Sequence, residues 1–234
     1  MKRRSVLKSA AMSVVLASPR ISRADGTKTV IFAPHADLAS LDPVWTTADI
    51  TRNYSLAVFD TLYGYDATFQ VQPQMVEAHR VEDDGKTWEL TLRDGLAFHD
   101  GQKVLARDCV ASIKRSSVRD PFGQAMMKRV NEVSAATDKV IRFRLRKPFP
   151  LLPTALAQTR ASIMPTRLAE IDPMKQIPEA IGSGPFKFMA DERIPGSRVV
   201  FSRNATYVPR QRHPKLSCRP KDRERGPRDL DLHP

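Results

Sequence analysis

Residues 73–115 carry the clearest alternation of apolar and polar positions in the chain. Trp88, Leu90 and Leu92 alternate with polar neighbours, which predicts a strand with one buried face. Asp-Gly turns flank this strand, and they favour tight turns because Gly accepts positive φ without steric cost. The turns are Asp83-Asp84-Gly85, Arg93-Asp94-Gly95 and His99-Asp100-Gly101. Helical spacing follows near 106–115, so the segment predicts an antiparallel meander and then a helix.

Other apolar rows predict the elements on either side. Thr29–Pro34 is a continuous apolar run, typical of a buried first strand. Asp49–Tyr63 has helical spacing, and Asp49 is a candidate N-cap. Lys139–Pro148 alternates like a strand, and a helix begins after it near Leu151. Phe186–Phe188 and Val199–Phe201 predict a hairpin closed through a Pro-Gly turn.

Arg142, Arg144 and Arg146 alternate with the apolar row of the 139–148 strand. Three arginines on one face fit an anion site, or the solvated face of an antiparallel sheet. We favour the solvated face, with the charges protecting an edge against further strand pairing.

Composition excludes several classes of function. The net charge of +12 falls mostly on 1–24 and 212–234, which leaves a mildly basic body and no support for nucleic-acid binding. Cys109 lies in an apolar helical row and is interpreted as a small buried hydrophobe. The histidines lack metal-ligand spacing, and no Gly-x-Ser-x-Gly motif or carboxylate pair is present. The sequence therefore predicts no metal site, no cofactor, no catalytic residue and no enzyme.

Residues 1–24 are interpreted as an export signal peptide. A basic start is followed by the short apolar stretch Ala10–Ala17 and by Ser22-Arg23-Ala24, which fits a cleavage site. The apolar stretch is far shorter than the ~20 residues of a membrane span. Arg3-Arg4 and the residues after them favour a twin-arginine signal over a general secretory one.

Several motifs together resemble one family, the extracytoplasmic solute-binding proteins of peptide-type ABC transporters (bacterial family 5). The resemblance covers 27–208. It rests on Leu41-Asp42-Pro43, Pro73, Glu77-Ala78, Asp84-Gly85-Lys86, Leu92-Arg93, Gly95, Phe98, His99-Asp100-Gly101, Ala106–Val110, Gly182–Phe186 and Asn204–Tyr207.

The resemblance implies a mixed α/β (α+β) fold of the periplasmic binding protein type II kind. Within it, 25–45 and 180–211 correspond to part of the main sheet of lobe I. Residues 46–178 correspond to an inserted small α+β subdomain. The implied function is capture of a peptide or similar small solute in the periplasm, for an ABC permease in the cytoplasmic membrane. We expect a monomer that binds no nucleic acid.

The resemblance also implies where ligand contacts lie. They are expected in the loop after the first strand, at Asp37, Leu38, Asp42 and Trp45, and in the turn Gly182-Ser183-Gly184. Trp45 is interpreted either as an aromatic that stacks on a solute or as a surface anchor or core residue. The glycine turn lacks the Gly-Lys-Ser/Thr ending of a phosphate loop.

The tail 212–234 is rich in Arg and Pro and has no periodicity. It is interpreted as a disordered end, as a basic arm for an acidic partner, or as an out-of-frame product following a frameshift or early stop near Gln211. We favour the third interpretation, which predicts a truncated, weakly functional or non-functional protein.

Two other classes of function stay open at this point. One is an exported cofactor enzyme, since twin-arginine signals often serve such proteins. The other is a basic interaction protein acting through residues 212–234. The solute-binding protein has by far the most support from the motifs.

Overall fold

The structure, a computed structural model, describes residues 29–210. The predicted export signal 1–24 and the predicted disordered, out-of-frame tail 212–234 lie outside these residues. The chain divides into two units, 1–33 and 34–234. The division predicted between 46–178 and the flanking main-sheet segments stays a prediction.

The helices and strands of the described part follow the predicted meander-and-helix order. The helices are α1 (Asp49–Val58), α2 (Ala106–Arg119), α3 (Pro121–Met127), α4 (Leu152–Leu156) and α5 (Thr166–Ala169). The strands are β1 (Tyr63–Tyr65), β2 (Val71–Pro73), β3 (Val76–Glu82), β4 (Thr87–Leu92), β5 (Val130–Ala135), β6 (Val140–Leu145), β7 (Phe186–Phe188) and β8 (Phe201–Arg203).

The predicted first strand, Thr29–Pro34, is wrong. These residues have no regular secondary structure, and Val30 and Ile31 are 90% and 92% exposed. An apolar run becomes a strand only where a neighbouring strand completes its hydrogen bonds. No ladder includes residues 29–34. The apolar run favours strand formation, but no neighbouring strand within residues 29–210 pairs with it.

Four antiparallel strands form the largest sheet, in the order β3-β4-β6-β5. Trp88 lies opposite Phe143 and Leu90 opposite Ile141, so the two central strands present one apolar row to the core. The side chains of this row are buried, as the alternation predicted. Helix α2 covers this face with Ala106, Cys109, Val110 and Ile113.

The other face of the sheet is polar and solvated, as predicted for the arginine row. Glu89 of β4 accepts hydrogen bonds from Arg80 of β3 at 2.9 Å and from Arg142 of β6 at 2.8 Å. The expectation that these arginines protect an edge is wrong, because β6 lies between β4 and β5 inside the sheet. Cross-strand pairing with Glu89 and Glu132 accounts for Arg142 and Arg144 instead. Arg146 lies one residue beyond the end of β6.

The predicted tight turns are present. The turn at 83–85 joins β3 to β4 with positive φ at Asp83, Asp84 and Gly85. Gly95 and Gly101 also have positive φ. Cys109 is fully buried, and burial raises the pKa of its thiol.

A second apolar cluster lies around α1 and is separate from the sheet core. It joins α1 to α5 and to the loop at Leu38 and Val44, and the half-buried Phe188 and Phe201 of the β7–β8 hairpin pack against it. The hairpin was predicted, with β8 two residues later than expected. Asp49 is the first residue of α1 and not its N-cap; Ala48 occupies that position without a side-chain hydrogen bond.

Candidate functional site

The loop before α1 contains four of the predicted site residues. Asp37 is exposed, whereas the side chain of Leu38 is buried in the cluster around α1. Asp42 is completely buried, and Trp45 is half-buried. The loop therefore offers a solute only part of the surface that the sequence suggested.

A buried ion pair fixes the conformation of this loop. Arg115 of α2 donates from Nη2 to Asp42 Oδ2 at 2.7 Å, and neither side chain is exposed. The same nitrogen donates to the carbonyl oxygen of Lys175 at 2.8 Å. Asp42 also accepts from the backbone N–H groups of Val44 at 2.9 Å and Ile177 at 3.1 Å. The Asp42 carboxylate is thus occupied by protein donors, and its role here is to hold the loop.

Trp45 lies beneath an arginine. The guanidinium carbon of Arg119 is 4.6 Å from the centroid of the indole ring, and Nη2 donates to the carbonyl oxygen of Trp45 at 3.0 Å. A cation over an indole face is a favourable arrangement. Of the two interpretations of Trp45, the described contacts match an anchored side chain, with one face of the ring already occupied.

A cavity of about 220 Å³ opens directly after Trp45. We call it the Thr46 cavity. Its lining comes from the loop, from α1, from the start of α3 and from the turn after α4, and is mostly polar. The lining residues are Pro43, Thr46, Thr47, Arg52, Ser55, Asp120, Pro121, Gln158, Thr159 and Arg160.

The sequence did not identify most of this cavity. Thr46 and Thr47 directly follow the predicted Trp45, but Arg52, Gln158 and Arg160 belong to segments that carry no motif. They meet only because α1 and the turn at 159–161 pack side by side. The only sequence signal for the cavity was closeness along the chain to the predicted residue Trp45, and this signal includes only Thr46 and Thr47.

A larger concave surface, about 540 Å³, lies on the polar face of the four-stranded sheet. Its lining includes Arg80, Glu89 and Arg142, which pair with one another across the strands. These charges satisfy each other, and no predicted site residue lines the surface. The Thr46 cavity is therefore the better candidate for a solute.

The turn Gly182–Gly184 lies against the carboxyl end of α1. A Cβ on Gly182 would lie 2.1 Å from the carbonyl oxygen of Val58, and the N–H of Gly184 donates to that oxygen at 2.9 Å. Glycine is required here because the two backbones approach closely. The Ser183 hydroxyl is buried and has no hydrogen-bond partner within the described part of the chain.

His99, in the loop between β4 and α2, hydrogen-bonds to this turn. Its backbone N–H donates to the Gly182 carbonyl at 2.9 Å, and Nε2 is 3.0 Å from the carbonyl oxygen of Gly184. A carbonyl oxygen only accepts, so Nε2 carries the proton. Burial lowers the pKa of His99, which favours the neutral ring. The contacts of His99 hold the Gly182–Gly184 turn in place.

The two predicted segments lie at opposite ends of α1. Trp45 precedes the amino end of α1, whereas Gly182–Gly184 packs at its carboxyl end. A helix of 10 residues spans roughly 15 Å between those ends. The assignment of ligand contacts to both segments stays a prediction.

Asp60 is a buried carboxyl group outside the predicted site residues. It is 4% exposed, and its Oδ1 accepts from Nε2 of Gln74 at 2.9 Å. Tyr207 lies within 3.5 Å of the same oxygen. Burial raises the pKa of Asp60 to about 6. Within residues 29–210, none of the predicted site residues is hydrogen-bonded to this carboxyl group.

Within residues 29–210, no three His, Cys, Asp or Glu side chains are grouped to hold a metal ion. No helix in this range is long and apolar enough to cross a membrane.

Comparison by sequence finds a family and a relative. The family model of the bacterial extracellular solute-binding proteins, family 5 (middle region), matches residues 70–218. The match continues beyond residue 208, where the motif resemblance ended. The chain is 41% identical over 208 residues to the "Probable peptide ABC transporter periplasmic-binding protein y4tO" of Sinorhizobium fredii. That alignment covers 87% of this chain and 39% of the relative.

Comparison by structure finds binding proteins of the same fold. The binding protein AgaA from A. tumefaciens R10, in complex with agropinic acid, matches with a TM-score of 0.61 and 25% identity, over 74% of this chain and 35% of that one. NikA from Brucella suis, in complex with Fe(III)-EDTA, matches with a TM-score of 0.65 and 22% identity, over 75% and 36%. The predicted fold class is confirmed, and the chain spans little more than a third of these proteins.

Proposed function

The chain belongs to the bacterial extracellular solute-binding proteins, family 5, and from this premise we propose that it serves as the solute-capturing component of an ABC transporter for peptides or similar small solutes. The observation that carries the proposal is the family match over 70–218, together with 41% identity to a relative named for peptide transport. The proposal assigns binding, and it assigns no catalytic step.

The Thr46 cavity and the anchored loop before α1 supply the binding face in this proposal. Solute sites are concave and place a few polar groups that orient the ligand. The Thr46 cavity offers such groups in its mostly polar lining. The Asp42–Arg115 pair and the Arg119 contact hold the loop before a solute arrives. A preformed face costs less conformational entropy on binding than a mobile one.

The implied partners follow from the family. The solute would be captured outside the cytoplasmic membrane, in the periplasm, after export by an amino-terminal signal. The loaded protein would then dock, as a monomer, on an ABC permease. Hinge closure around the solute is the usual motion of such proteins.

The 234-residue chain on its own is expected to bind peptides weakly. It spans 39% of the rhizobial relative, so it presents a solute with only a part of the contacts available in a protein of that length. Losing about 4 kcal/mol of contact weakens binding roughly a thousandfold.

A chimera tests the proposal directly. Residues 34–208 of this chain would replace the aligned segment of the rhizobial relative, and both proteins would be titrated with a peptide mixture by calorimetry. If this segment performs the family's function, the chimera binds peptides within about tenfold of the parent, a difference of about 1.4 kcal/mol.

The 234-residue chain is titrated alongside. A folded chimera that loses binding while the parent retains it would refute the proposed function. Micromolar affinity of the 234-residue chain would leave the function standing and refute the expectation of weak binding.

A further inference from the structure

The Thr46 cavity holds two guanidinium groups and one carboxylate, all from the described part of the chain. Arg52 and Arg160 carry the positive charges, and Asp120 carries the negative one. Oδ2 of Asp120 already accepts from the backbone N–H of Gly123 at 2.6 Å, where it caps the start of α3. These three groups sum to one positive charge, and Asp49, which pairs with Arg52, offsets it, so among the described residues the cation with no carboxylate partner at the cavity is the guanidinium of Arg160.

Arg160 is the better placed of the two arginines. Its side chain is half-buried, and Nη1 donates to the carbonyl oxygen of Arg119 at 3.2 Å, which fixes the guanidinium. Within residues 29–210 no carboxylate lies within 4.0 Å of it. A guanidinium held on one edge by the backbone keeps its remaining N–H groups for a second acceptor.

Arg52 is held less firmly. It pairs with Asp49 on the surface of α1, and both side chains are more than half exposed. Such exposed pairs contribute little, typically less than about 1 kcal/mol, so a better acceptor readily displaces Asp49.

The hydroxyl groups of the cavity add donors. Oγ1 of Thr46 accepts from the N–H of Ala48 at 3.1 Å, which leaves its own proton free to be donated. Thr47 and Thr159 line the same wall. Arginine and hydroxyl donors around one concave space form the pattern that suits a planar anion with two acceptor oxygens.

We propose that the Thr46 cavity binds the carboxylate group of a solute, with Arg160 as the principal partner, Arg52 as the second and Thr46 as a hydroxyl donor. This inference rests on the proposed solute-binding function and narrows it to solutes that carry a free carboxylate. A volume of about 220 Å³ accommodates more than the carboxylate alone, so the end of a short peptide or of a small organic acid enters the cavity.

The test is an NMR titration of the ¹⁵N-labelled 234-residue chain with trialanine and with trialanine amide. The two probes differ only in the charge and acceptor oxygens of the carboxyl end. Trialanine is expected to shift the amides of Thr46, Thr47 and Arg160 saturably. Its affinity should exceed that of the amide at least about tenfold, as expected for charge-assisted hydrogen bonds.

Arg160→Gln is the test variant and Arg80→Gln the matched control. Glutamine keeps a donor for the Arg119 carbonyl, and Arg80 is an exposed arginine on the polar face of the sheet, far in sequence from the cavity. R160Q should abolish the preference for the free acid, and R80Q should retain it.

Other outcomes of the titration would contradict the inference. Equal affinity for both probes at the cavity would overturn carboxylate recognition and leave solute binding intact. Shifts confined to other residues would overturn the choice of this cavity. If the 234-residue chain shows no saturable shifts with either probe, the same titration is repeated on the chimera, and the absence of shifts at Thr46, Thr47 and Arg160 there would overturn the inference. Peptide binding by the chimera in calorimetry decides separately on the proposed function.

Discussion

At the scale of single residues, the side chain of Arg115 ties three segments together. It pairs with Asp42 of the loop before α1 and donates to carbonyl oxygens of Ile171 and Lys175 beyond α5. Burying two charges is costly, and the cost is offset only while both partners are present. The pair therefore makes the position of the candidate loop depend on α2.

Replacing Arg115 by Met is expected to lower the free energy of unfolding by roughly 3–5 kcal/mol, because the buried Asp42 carboxylate loses its partner. Adding Asp42→Asn to that variant should restore part of the loss by removing the uncompensated charge. Urea denaturation measures both effects. Arg142→Met, at a partly exposed pair, is the control and should cost less than about 1 kcal/mol. A similar loss in both single variants would contradict the role of Arg115.

Asp60 makes stability depend on pH. Its folded pKa of about 6 lies above the ordinary 3.8, because the carboxylate is buried. The folded state therefore holds the proton more tightly than the unfolded state. The contribution of protonated Asp60 to the free energy of unfolding is fully present below about pH 4 and is lost as the pH rises through about 6.

Asp60→Asn is expected to remove this dependence. A shift of about two pKa units corresponds to about 3 kcal/mol. Between pH 4 and pH 7 the stability of the variant relative to the wild type should thus rise by about 2–3 kcal/mol. Denaturation at several pH values measures it, with the exposed Asp191→Asn as control. Parallel pH profiles for wild type and D60N would refute the assignment.

At the scale of elements, the contact between Gly182–Gly184 and α1 joins the β7–β8 hairpin to the helix. Val58 is the last residue of α1, and its carbonyl oxygen is satisfied by the N–H of Gly184. The helix end thus depends on a turn more than 120 residues later in the chain. Any side chain at Gly182 forces the two backbones apart.

Gly182→Ala is expected to lower the free energy of unfolding by more than about 2 kcal/mol, since overpacking against backbone has no flexible group to yield. Gly101→Ala is the matched control. Its Cβ would meet nothing within 4 Å, so only the positive φ of 88° is strained, at a cost of roughly 1 kcal/mol. Thermal or urea unfolding compares them. An equal effect of the two substitutions would show that close packing at Gly182 is relaxed.

At the scale of the whole molecule, the four-stranded sheet and the β7–β8 hairpin differ in how extensively their strands are hydrogen-bonded to neighbouring strands. Strands β4 and β6 have neighbours on both sides in the four-stranded sheet. Strands β7 and β8 pair only with each other, over three residues each. Local opening should therefore cost more free energy in the sheet than in the hairpin.

Native-state hydrogen exchange is expected to show this order. Amides of Leu90 and Phe143 should exchange slowest, near the global unfolding limit, while Lys187 and Ser202 exchange through local opening. NMR measures the exchange rate of each amide and shows whether the hairpin amides exchange faster than the sheet amides. Equal protection of both pairs would mean that the hairpin and the sheet open as a single cooperative unit.

The sequence by itself determined the elements whose signal is local. The alternation at Trp88–Leu92 and Ile141–Leu145, the Asp-Gly turns and the helix from Ala106 were all predicted, because strand and helix periodicity is fixed by neighbours within a few residues. The motifs also identified the family, which the comparisons then confirmed. The family motif also includes Gly182 and Gly184. The sequence did not show why glycine is needed there, which is the close approach of the Val58 backbone.

Tertiary structure alone decided what depends on distant partners. Thr29–Pro34 has the composition of a strand but no ladder, and the arginines of β6 lie inside the sheet and not at its edge. The burial of Asp42 required Arg115 from α2, 73 residues away. Arg52 and Arg160 meet at the Thr46 cavity through packing between segments that share no pattern. Contacts of this kind are set by the meeting of surfaces in three dimensions, which periodicity along a chain does not encode.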